Sequence, residues 1–142
     1  YILITDKTDK INKIIMKKVN SILIKGFYFA NFILIIFYLF PGSIFGHILY
    51  NNTSIQPQIT RDFLISSNHL YVFIILSTIG ILAYRNNSKI NFLITYLFLL
   101  SIILELFHII IPNRGFQFSD LFGNIIGVIV VVIIYKIKKK YE

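Results

Sequence analysis

The chain has 142 residues, of which 56% are hydrophobic, 16% aromatic and only 14% charged, and its net charge is +8. A soluble domain ordinarily carries about 25% charged residues, so this composition, with a mean hydropathy of +0.76, argues against a water-soluble globule. The absence of cysteine excludes disulfides, thiolate metal sites and cysteine nucleophiles.

Taken in order, residues 1–25 come first as a basic, amphipathic segment. Ile11, Ile14, Ile15, Val19, Ile22 and Leu23 fall on one helical face, with Lys10, Lys13, Lys17 and Asn20 on another. The pattern predicts a helix lying in the membrane interface before the chain turns into the bilayer; a helix docking on a protein partner is the alternative. Crossing about 30 Å of hydrocarbon takes about 20 apolar residues, and four runs approach that length. They cover approximately 22–40, 66–84, 90–111 and 118–135, ending in turn at Pro41-Gly42, near Arg85, at Pro112 and at KIKKKYE. None carries a polar stripe wide enough for a soluble amphipathic helix. No small-residue cleavage site follows the first run, so no removable signal peptide is expected. In the long link after the first run, residues 44–50 are apolar enough to dip back into the interface. The predicted fold is therefore all-α: a polytopic membrane bundle of four transmembrane helices, occupying 26–142 and preceded by the interfacial helix.

Charge orients this bundle. Six lysines precede or open the first run, Arg85 and Lys89 lie between the second and third, and four lysines follow the fourth. That puts twelve of the fourteen basic residues on one side, leaving Arg61 and Arg114 on the other. The positive-inside rule then predicts both termini in the cytoplasm. Lysines placed beside membrane spans meet anionic lipid headgroups, and no nucleic-acid partner is expected.

Against this background the stretch ELFHIIIPNRGFQFSDLFGN, residues 105–124, stands out. Ionisable groups at membrane depth are expensive and face partners or a cavity. Glu105 and His108 share a helical face at i, i+3, Pro112 to Gly115 form a turn, and Asp120 and Asn124 follow at i, i+4. Gly123 and Gly127 make a GxxxG pair suited to close helix packing. His69, opening the second run, reaches the same level. Each group has a structural reading beside a functional one: Glu105 paired with Arg114 or His108, Asp120 paired with Arg114 or capping the fourth helix, Asn124 as interhelical glue. Glu105-x-x-His108 is half of a di-iron carboxylate motif, but such sites need a second copy and two more glutamates. The one other glutamate is Glu142, so no metal and no cofactor are expected. Ser119 beside Asp120 lacks a histidine base and an oxyanion hole.

The spacing Glu105-x-x-His108, Pro112-x-Arg114 and Asp120-x-x-x-Asn124-x-x-Gly127 resembles the VanZ-like family of small bacterial membrane proteins. In that family His108 is usually Gln, a glycine stands at Val131, and Asp-Lys stand at Ile65 and Ser66 ahead of the histidine matched by His69. The resemblance implies a multi-pass protein of the bacterial cytoplasmic membrane, acting in the cell envelope in connection with glycopeptide-antibiotic resistance. On that basis the cluster is expected to recognise or modify a lipid or lipid-linked envelope precursor. Arg114, Asp120, Asn124 and His69 would bind, and Glu105 and His108 are the candidates for proton transfer. Whether the chain is an enzyme stays open. The alternative is a non-catalytic accessory subunit of a larger membrane complex, with membrane lipids as its other neighbours.

Overall fold

The computed structural model describes residues 2–62 and 64–141, with side chains from Lys10 onward. Tyr1, Phe63 and Glu142 lie outside the described residues, as do the side chains of Asp6, Lys7 and Asp9. Five helices follow one another: α1 (Ile2–Leu39), α2 (Ile44–Tyr50), α3 (Ser67–Tyr84), α4 (Ile90–Phe107) and α5 (Phe118–Tyr141). Four of them, all but α2, are long and apolar enough to cross a membrane. Their outer faces carry Phe29, Phe32, Phe92, Ile133 and Ile134, all exposed. An apolar surface this extensive far exceeds what a soluble monomer tolerates and fits lipid as the solvent. The protein is a multi-pass membrane helix bundle.

Three boundaries differ from the sequence reading. The amphipathic N-terminal segment is helical but does not turn before the first span: α1 is one continuous helix of 38 residues. No proline interrupts residues 2–40, and a single helical glycine such as Gly26 costs only about 1 kcal/mol. The third span ends at Phe107, four residues early, because Pro112 has no N–H for the His108 carbonyl and disfavours helix just before it; residues 108–111 form turns instead. The last helix runs six residues beyond the apolar run, ending in Lys138, Lys139 and Lys140, which suit the negative end of its dipole.

Buried Phe73, Leu76, Leu97, Leu104 and Val128 form the core between α3, α4 and α5. The tightest seam joins α3 and α5. A Cβ added to Gly123 would lie 2.8 Å from the Ser66 carbonyl, and one on Gly127 would lie 2.7 Å from that of Leu70. Backbone meets backbone there as in a small-xxx-small crossing. Residues 57–62 brace the start of α3. Asp62 Oδ1 accepts from the Ser67 N–H at 2.7 Å, and Ser67 Oγ donates to the Thr60 carbonyl at 2.6 Å. The short helix α2 is capped by Ser43 and stopped by Asn51 in the left-handed region at φ 51°. Exposed His47 lies on it.

Candidate functional site

At the end of the bundle away from the lysine-rich segments, three helices bring their polar residues to one place. Glu105 sits in the last turn of α4, fully buried, and His108 caps that helix. The shortened span thus places Glu105 within three residues of the helix end. His69 is in the first turn of α3, Asp120 in the first turn of α5, and Asn124 one turn further on. The glycine seam sets this geometry, because His69 Cβ is itself 3.1 Å from where a Gly123 side chain would begin.

Glu105 Oε1 accepts from the Gln117 backbone N–H at 3.0 Å. Its Oε2 lies 3.2 Å from His108 Nδ1, but off the hydrogen-bond direction, so Oε2 has no hydrogen-bond partner among the described residues. His69 Nε2 is 4.0 Å from the same oxygen and 3.6 Å from Asp120 Oδ2, both beyond the 2.7–3.2 Å of an N–H···O bond. The other nitrogen of His69, Nδ1, is 2.8 Å from Ser66 Oγ. His108 Nε2 is 3.2 Å from the Tyr38 carbonyl. A carbonyl only accepts, so that nitrogen is the one carrying hydrogen in a neutral ring. The His108 Nδ1 lone pair then confronts a carboxylate, which is unfavourable unless a proton or another cation intervenes.

Arg114 takes a different place from the one expected. Its Nη2 donates to the Phe37 carbonyl at 2.9 Å and its Nε to the Phe40 carbonyl at 3.3 Å. It therefore caps the C-terminal end of α1, where free carbonyls and the helix dipole favour a cation. No ion pair within 4 Å joins it to Glu105 or Asp120. Those two carboxylates have the histidine rings as their nearest ionisable neighbours. Burial pushes the Arg114 guanidinium below its ordinary value, while Tyr38, Asp120 and Glu105 pull it back up.

Tyr38 is the participant that the sequence does not single out. Its hydroxyl donates to Asn124 Oδ1 at 2.6 Å, and Asn124 Nδ2 donates in turn to the Ser101 carbonyl at 3.1 Å. The Tyr38 ring stacks on His108 at 5.4 Å and meets His69 edge-on at 5.3 Å. Within the aromatic run of the first span it looks like any other lipid-exposed or packing residue. The only hint is its position close to Pro41, at the level of the cluster. Ser66 has no clearer signal than being the residue before α3.

A cavity of about 150 Å³ opens beside this cluster, lined by Tyr38, His69, His108 and Arg114 together with residues of α2 and the 56–59 link. Ligand pockets for whole small molecules run to roughly 300–1,000 Å³. This one has room for a headgroup or a fragment. Comparison with protein-family models, with curated proteins and with solved structures gives no match, so the functional reading rests on this geometry and on the motif.

Proposed function

We propose that this protein is a VanZ-like component of the bacterial cytoplasmic membrane, with both termini cytoplasmic. In this reading its outward-facing cavity binds the anionic headgroup of a lipid or lipid-linked cell-envelope precursor. The observation that carries the reading is the cavity wall itself: a guanidinium and two buried imidazoles around a space of headgroup size, open beside helices whose apolar faces lie in lipid. Arg114 has five N–H donors and gives only two hydrogen bonds to α1. The remaining donors are available to a phosphate or carboxylate, and α1 holds the group in place. The motif resemblance and the distribution of lysines support the family and the orientation.

A purified chain in detergent is expected to bind a polyprenyl phosphate more tightly than the matching uncharged polyprenol. Arg114→Gln should weaken the phosphate at least about tenfold, since a charge-assisted hydrogen bond contributes about 1.5–3 kcal/mol; exposed Arg61→Gln should change little. Equal affinity for the phosphate and the alcohol would overturn the reading.

One observation favours the accessory-subunit alternative. Residues 10–22 of α1 are exposed all round, including Ile14, Met16 and Ile22, and pack on nothing among the described residues. A partner that survives detergent purification in stoichiometric amount would favour that reading.

A further inference from the structure

The buried carboxylates pose a problem that headgroup binding does not solve. Glu105 and Asp120 face each other and His69 across the junction of α4, α5 and α3. One ligand atom from each of the three lies within 4.8 Å of the other two. Glu105 Oε2 points into this gap, fully buried, without a hydrogen-bond donor. Removing a carboxylate from water costs several kcal/mol unless something positive and well placed compensates.

We propose that His69 Nε2, Glu105 Oε2 and Asp120 Oδ2 hold one divalent transition-metal ion of the zinc class. Four features carry the assignment. The donor set, one imidazole and two carboxylates without thiolate, suits zinc and its first-row neighbours. Ligand atoms about 2.0–2.2 Å from a tetrahedral ion are separated from each other by about 3.4 Å. The two His69 separations, 3.6 and 4.0 Å, are too long for hydrogen bonds and need only small side-chain rotations to close on an ion. His69 carries the outer support typical of a metal-bound imidazole, since its Nδ1 meets Ser66 Oγ at 2.8 Å, which turns Nε2 toward the carboxylates. Glu105 is held likewise by the Gln117 N–H on its other oxygen. His108 lies outside the group of three: its Nδ1 is 3.2 Å from Glu105 Oε2 and its ring meets His69 edge-on at 6.4 Å, which makes it a positioning residue. Three protein ligands leave a coordination place open for water or an anionic ligand.

The site does not depend on the headgroup reading, and the two are separable by experiment. The full chain, carrying an affinity tag without histidine, is purified in detergent without chelators and analysed for metals by mass spectrometry. About one zinc, manganese, iron or cobalt per chain is expected, as for any site that folds around its ion. Chelator-stripped protein should recover its metal and show cobalt d–d absorption when Co²⁺ is supplied. Its unfolding midpoint should rise by at least about 3 °C with Zn²⁺. Asp120→Asn and His69→Asn should lose the metal and the midpoint shift, while His47→Asn and Arg114→Gln keep both. Where a ligand variant fails to fold, the stripped wild type decides: no cobalt spectrum and no shift with Zn²⁺ overturns the proposal. Metal retained at full occupancy in folded Asp120→Asn and His69→Asn also overturns it, by placing the ion elsewhere.

Discussion

At the scale of the residue, the Tyr38–Asn124 contact shows how a polar bond is shared out within a membrane bundle. The Tyr38 hydroxyl and the Asn124 amide form a relay from α1 through α5 to the Ser101 carbonyl of α4. Tyr38→Phe removes one proton donor and leaves Asn124 Oδ1 buried, for an expected loss of about 1–2 kcal/mol. Interhelical hydrogen bonds in membranes contribute about 0.6 kcal/mol on average and up to about 1.7. A double-mutant cycle with Asn124→Leu, followed by denaturant unfolding in detergent, should therefore give a coupling in that range. Strict additivity would mean that the 2.6 Å contact contributes nothing. The residues of this site were unequally legible. Glu105, His108, Asp120 and Asn124 announce themselves through helical spacing within twenty positions, because local periodicity is a sequence property. Tyr38 and Ser66 reach the cluster from segments at least 52 residues ahead of Asp120's helix, and nothing local marks a tyrosine or a serine for a tertiary bond. Arg114 was visible as a residue but its partner was not. A sequence shows carboxylates nearby, yet not the free carbonyls at the end of another helix. His69, Glu105 and Asp120 escape a search for paired metal motifs for the same reason: each stands on a different helix.

At the scale of the element, glycines separate two kinds of helix position. Gly123 and Gly127 stand where any side chain would strike the backbone of α3, and Gly26 stands where a Cβ would meet nothing within 4 Å. Gly127→Leu should force α3 and α5 apart and destabilise by more than about 3 kcal/mol. Gly26→Ala should be neutral or stabilise by up to about 1 kcal/mol through helix propensity. Unfolding midpoints in one detergent test both signs, and a tolerated Gly127→Leu would contradict the tight α3–α5 seam. The helices themselves were readable because length, apolarity and terminating prolines are all local. The end of the third was not, because apolar residues 108–111 continue the hydrophobic run while Pro112 withdraws the hydrogen bonds that would keep them helical. The break expected after residue 25 was not found either. An amphipathic helix and a spanning helix share one period, and no residue between them stops the turn.

At the scale of the whole molecule, the four crossings and the lysine asymmetry make a directional statement. Single cysteines at Asn52 and Gly115, both exposed in the links at the cluster end, should react with a membrane-impermeant thiol reagent added to intact cells. A cysteine at Ser88, exposed between α3 and α4, should react only after the membrane is opened. The chain has no cysteine of its own, so the background is clean. Labelling of Ser88→Cys from outside would reverse the orientation and place the cavity on the cytoplasmic face.

The unbroken first helix has a mechanical meaning. From Lys10 to Leu39 it holds 30 residues, which at 1.5 Å each make a rod of about 45 Å, half as long again as the hydrocarbon it crosses. Such a rod has no joint at which to absorb a tilt. If the rod is stiff, a push on its lysine-bearing tip would swing the opposite end. There Phe37 and Phe40 hold the guanidinium that lines the cavity, so a displacement of the tip would be felt as a displacement of Arg114.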